Sequence, residues 1–208
     1  MDITKFILKE TVIIGLIEPI NLQEVSLDTI SKNSGFSNIN FEQNNNILFL
    51  QNPEKGQMSV IQANRFEFID RTGNSIVKNG FDNILYNTLN LLPKLVTKAI
   101  GINYIANVYL KDVENIGLYI QEKFIKDKEH FEKIISQPVL ASSIRMFLGT
   151  KQNHKDIRLF PIELDKDILG CQIHTHLDIN SDFINLIDYL KEKLPEEEIT
   201  LRKILQEL

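Results

Sequence analysis

The chain has 208 residues, 43% hydrophobic and 25% charged, and carries a net charge of −5. That is globular composition with enough apolar material for a core, and the negative balance argues against general binding to a nucleic-acid backbone, which needs a positive face to release counterions. A single cysteine, Cys171, excludes an intrachain disulfide framework and a Cys-rich metal cluster, and suits a reducing, cytoplasmic setting.

The first residues, MDITKFILKETVIIGLIEPI, place Asp2 before the first lysine, and Lys9 and Glu10 interrupt what would be the apolar heart of a signal peptide. No window approaches the roughly 20 apolar residues of a membrane helix, so a soluble protein is expected. Residues 10–18 read as a strand ended by Pro19. Asn21 is placed to cap a short helix over NLQEVSLDTISK, with Leu22, Val25 and Thr29 on one side. After a turn-rich NSGFSN come three alternating segments, 46–51, 57–64 and 65–71. They are joined by short polar connections that suit an antiparallel meander, and Asn44, Asn45 and Asn46 read as a loop tip.

Phe81 to Leu110 forms a seam. Phe81, Ile84, Leu85, Leu92, Leu95 and Val96 lie on one helical face, and Pro93 predicts a kink or a fresh last turn. From Ile100 the period becomes two, with Ile100, Ile102, Tyr104, Ala106, Val108 and Leu110 facing one way and Asn103, Ile105, Asn107 and Tyr109 the other. Asp112 is the expected cap of a helix with Val113, Ile116, Ile120 and Phe124 as its stripe, extending as far as Ile135 before Pro138. Strands return at 141–149, 156–164 and 168–179, the middle one marked by Pro161 as an edge or bulged strand. Ser181 should cap DFINLIDYLKEKL, and Pro195 should open a separate last helix to Leu208.

Both halves thus read strand, helix, three strands, helix. The expectation is an α+β protein of two pseudo-repeated βαβββα units, 1–98 and 99–208, sharing one curved, mainly antiparallel sheet with long helices on one face. By analogy it resembles TATA-binding-protein-like and helix-grip folds, a likeness that implies no function.

Gln62, Arg65 and Phe66, followed by Gly101, Tyr104 and Ile105, resemble a Gln-x-x-x-Arg-Phe … Gly-x-x-Tyr-Ile pattern in a sporadically distributed family of uncharacterised prokaryotic proteins. Ile69-Asp70-Arg71 stands where that family has Asn-Trp-Arg, and Asn103 and Asn107 replace arginines. The resemblance implies a soluble bacterial or archaeal α+β protein and no particular activity.

Among chemical signals, QIHTHLD places Gln172, His174, His176 and Asp178 on one face of a strand, and two imidazoles at i and i+2 is a zinc spacing. The bland reading is a polar strand face. A third ligand would have to come from a neighbouring strand, with Glu163 or His154 as candidates. Asn103, Tyr104 and Asn107 are the candidate ligand-binding residues, should the two halves enclose a concavity; the alternative is an ordinary solvent-facing strand.

Cys171 reads as an inert core thiol, and Asp165 with Asp167 as hairpin chemistry. No glycine-rich phosphate loop and no GxSxG elbow is present. The favoured function is a non-enzymatic binding or regulatory protein, acting through a partner protein or as a homodimer. The alternative is a small-ligand-binding protein or metal-dependent hydrolase. In the final helix, Ile199, Ile204, Leu205 and Leu208 are placed to dock on the chain's own sheet or on another chain.

Overall fold

Alternation of apolar and polar side chains dominates the sequence, and in the computed structural model it produces nine strands of one sheet. Residues 3–125, 128–135, 140–163 and 167–207 are described. The elements run β1 (Ile3–Ile17), α1 (Leu27–Asn33), β2 (Asn38–Glu42), β3 (Ile47–Asn52), β4 (Gln57–Gln62), β5 (Arg65–Asp70) and α2 (Phe81–Asn90) in the first half. The second half follows with β6 (Val96–Leu110), α3 (Ile116–Phe124), α4 (Lys128–Ile135), β7 (Ile144–Gly149), β8 (Asn153–Pro161), β9 (Ile168–Asp182) and α5 (Phe183–Glu207).

The strand order is β2-β3-β4-β5-β1-β6-β9-β8-β7, and every pairing is antiparallel. Two 15-residue strands, β1 and β6, lie side by side at the centre, and each half adds its meander outward on its own side. The protein is therefore α+β, with one curved antiparallel sheet.

One sheet face carries the core. Ile13, Phe66, Phe68, Ile100, Ile102 and Tyr104 are buried there with Phe81, Leu85 and Leu89 of α2 and Leu190 and Leu194 of α5. Removing that much apolar surface from water is the main favourable term in folding. Gly15 of β1 sits directly across from Phe66, and a Cβ there would lie 2.1 Å from the ring, so the position has room only for hydrogen. Val12 and Ile69 are also buried but stand outside the core cluster, because they belong to the opposite face.

Several local expectations are corrected. The first strand begins at Ile3: the stretch with Lys5, Lys9 and Glu10 pairs with β6, while the pairing with β5 begins only at Thr11. An additional strand, β2, follows the turn-rich patch, starting at its last residue, Asn38. Asn21 does cap a turn, accepting from the backbone of Gln23, but that turn is a 3-10 helix of three residues; α1 starts afresh behind its own cap, Ser26.

The seam helix ends at Asn90 rather than kinking at Pro93, because the residue before a proline is pushed out of the helical region. Asn115 rather than Asp112 caps α3, accepting from the amide of Leu118, while Asp112 adopts a left-handed turn conformation. β8 is an interior strand, and Pro161 is tolerated as its last residue. Pro195 lies inside α5, which continues through it as a single 25-residue helix. Ile199 is exposed and Ile204 packs against the core, whereas the side chains of Ser181, Leu205 and Leu208 lie outside the described residues, as do Asp165 and Pro138.

Candidate functional site

Directly opposed residues of an antiparallel pair share a face, so the registers of β7, β8, β9 and β6 set out rows of side chains on the face away from the core. One row is Gly149, His154, His176, Gly101. The next is Phe147, Asp156, His174, Asn103, and the third is Arg145, Arg158, Gln172, Ile105. The i, i+2 spacing puts His174 and His176 side by side on β9, and the β8 register adds His154 directly across from His176.

The three imidazoles form a cluster. Ring centres are 5.1 Å apart for His154 and His176, 6.2 Å for His174 and His176, and 6.4 Å for His154 and His174. Asn103 Oδ1 lies 2.6 Å from His174 Nδ1. A carbonyl oxygen only accepts, so Nδ1 carries the proton and Nε2 keeps its lone pair. Likewise His176 Nε2 donates to Asp178 Oδ1 at 3.0 Å. Burial, reinforced by the neighbouring His176 and His154, holds the His174 pKa below its ordinary value, which favours the neutral ring. The His154–His176 row is flanked by glycine at both ends, Gly149 and Gly101, with the His174 ring lying over Gly101 and the Phe147 ring 6.4 Å from that of His154.

Beside the histidines is a charge clamp. Arg145 donates through Nε and Nη2 to the two oxygens of Asp156 at 2.9 and 2.8 Å, and Arg158 adds a bond at 3.0 Å. The Arg145 hydrogen bonds hold the buried Asp156 carboxyl down at about 2, against the opposing effect of desolvation. The clamp ties β7 to β8.

The outer edge of β7 has no strand beside it among the described residues. Phe147 and Leu148 point to opposite faces there and are 62% and 50% exposed. The other sheet edge, β2, differs in carrying the polar Asn38, Asn40 and Glu42 on the face away from the core.

The other sequence candidates are dispersed. Tyr104 is wholly buried on the core face, where its hydroxyl donates to the Leu194 carbonyl at 3.4 Å, so it does not accompany Asn103. Asn107 shares the face of Asn103 but lies four residues along β6, about 13 Å away. Glu163 follows the far end of β8 from His154 and cannot join the histidines. Cys171 is buried among apolar neighbours, and its thiol is pushed up to about 12 by burial. The links from His174 to Asn103 and from His154 to His176 were not fixed by the sequence, because neither pair is joined by a local spacing.

On the core side, a groove of about 460 Å³ opens between the first residues of β8, the facing part of β9 and α5. Lys155, Thr175 and Glu197 meet in its wall, with Glu197 accepting from both Lys155 Nζ and Thr175 Oγ1. No helix among the described residues is long and apolar enough to cross a membrane.

No family model matches the sequence. No curated protein matches it either. Among solved structures the chain is similar to the Methanococcus jannaschii TBP, at 10% sequence identity and a TM-score of 0.40, over 92% of this chain and 97% of that one.

Proposed function

We propose that this is a non-enzymatic binding protein that assembles as a homodimer through β7. The observation that carries the reading is the character of that edge. A bare strand edge is a template for another strand, and proteins that avoid pairing blunt it with charge, proline or a bulge. In IRMFLG the only charge is Arg145, and it is already committed to Asp156.

The strand is also self-complementary. A two-fold axis through Phe147, perpendicular to the sheet, preserves the faces of both copies and gives an isologous contact. Phe147 then meets Phe147 on one face and Met146 meets Leu148 on the other, while each Arg145 faces a Gly149 rather than its own counterpart. Antiparallel pairing satisfies the edge amides and buries apolar side chains on both faces at once.

Sedimentation velocity over a concentration series tests it. The expected result is a concentration-dependent dimer, converted to monomer by Phe147→Lys or Leu148→Lys with the circular dichroism spectrum unchanged. A wild-type protein that stays monomeric up to ~100 μM would remove the reading.

A second reading, a small-ligand-binding protein, draws on the groove under α5, where the Lys155–Glu197 pair offers both charges to a polar ligand beside the apolar Leu177 and Ile204. A ligand retained through purification and lost on Lys155→Met would favour it.

A further inference from the structure

We infer that His154, His174 and His176 form a binding site for a zinc-class divalent cation on the face of the sheet away from the core. This is independent of β7 pairing. Two imidazoles at i and i+2 of β9 and a third from the adjacent antiparallel strand bring three rings together on one sheet face. Three histidines with a fourth position open to solvent is an established coordination set for zinc.

As they stand, no group of three or more His, Cys, Asp or Glu among the described residues is arranged to hold a metal ion, so the site forms only if the imidazoles move. Rings sharing a zinc ion at Zn–N distances of about 2.0–2.1 Å stand roughly 5 Å apart between centres. The 5.1 Å pair matches that spacing between centres but is stacked, its planes 27° apart, and must turn to share an ion lying in both ring planes, while the others, at 6.2 and 6.4 Å, need to close by about an ångström. Gly101 flanks the row at the position where a side chain would obstruct that adjustment. A Cβ on Gly101 would stand 3.1 Å from Cε1 of His174, tighter than most ordinary contacts.

The outer contacts are those of a metal-binding histidine. Such a residue usually donates its second ring N–H to an oxygen, which fixes the tautomer and aims the other nitrogen. Asn103 does this for His174, leaving Nε2 as the donor atom; Asp178 does it for His176, leaving Nδ1. Imidazole donors without thiolate suit zinc, and also cobalt, nickel and copper, better than calcium or magnesium, which take oxygen ligands. Asn103 is thereby a positioning residue.

The test is cobalt(II) chloride titrated into chelator-stripped full-length protein, read by the visible ligand-field bands and then competed with zinc chloride. One cobalt per chain with intense tetrahedral-type bands is expected. His154→Ala and His174→Ala should abolish the bands, Asn103→Leu should weaken binding ~10- to 100-fold, and Asn103→Asp, which keeps the acceptor, should restore it. His130→Ala, on α4, serves as the control and should bind as wild type.

Weak octahedral-type bands only, or a wild-type affinity unmoved by the two histidine substitutions, would overturn the site. The wild-type spectrum decides the matter even where a variant fails to fold. Loss of binding in Asn103→Asp as well as Asn103→Leu would overturn the positioning role of Asn103.

Discussion

His154 of β8 lies directly across from His176 of β9, with the rings 5.1 Å apart and their planes inclined at 27°. The pair stands one row from His174, and a cation bound by all three would cross-link β8 to β9. Because a ligand that binds only the folded state stabilises it by mass action, zinc at about 100 times its Kd should add ~2.7 kcal/mol. For a chain of this size that corresponds to roughly 5–10 °C in Tm. Calorimetric scans with and without zinc should show the shift in wild type and none in His154→Ala.

The Arg145–Asp156 clamp predicts the cost of untying β7. Asp156 is buried and its carboxylate satisfies both Arg145 and Arg158. Replacing it with alanine leaves two guanidinium groups without their acceptor and should destabilise the protein by about 1–3 kcal/mol in urea unfolding. Amide exchange should rise first in β7 and β8 rather than across the sheet.

Gly15 and Phe66 give a packing test. Alanine at position 15 places a methyl group 2.1 Å from the Phe66 ring and must displace it. Overpacking of this kind costs about 1–3 kcal/mol. The double variant Gly15→Ala, Phe66→Leu should lose less than the sum of the two single changes, the signature of direct contact in a double-mutant cycle.

Alkaline stability follows from two buried acids. Cys171 is raised from 9.0 to about 12 by burial, and Tyr86 from 10.0 to about 12, chiefly by burial and then by Asp82. Both ionise more readily in the unfolded chain. Their stabilising contribution is therefore intact below pH 9 and is lost as pH rises from about 9 to 12, by up to ~1.4 kcal/mol per pH unit per group. Urea titrations at a series of pH values should show that decline. Iodoacetamide should label Cys171 only at the rate of global unfolding.

Much of the fold was legible because strand alternation is a local signal. Residues 46–51, 57–64 and 65–71 were read as strands from their own side chains, as were the last three, and all correspond to strands close to those ranges. Proline misled at both Pro161 and Pro195. Its local cost is real, but a strand end and the packing of Leu190 and Leu194 outweigh it. The N-terminal part of β1 escaped notice because Lys5, Lys9 and Glu10 break its apolar pattern.

The site was legible only in part. His174 and His176 declare themselves by spacing, since two residues apart on a strand means one face. Asn103 was picked out for its place at the seam, and Tyr104 was grouped with it although adjacent residues of a strand point to opposite faces. His154 was one of two possible third partners, and Glu163 the other.

By itself the sequence determined the α+β class, the antiparallel meanders and the faces within each strand, because those follow from period and turn chemistry between near neighbours. Only the tertiary structure decided that His154 meets His176, that Asn103, 71 residues from His174 in the chain, orients that ring, and that β7 rather than β8 is the edge. Those relationships depend on strand register and order, which are set by packing of the whole sheet against its helices.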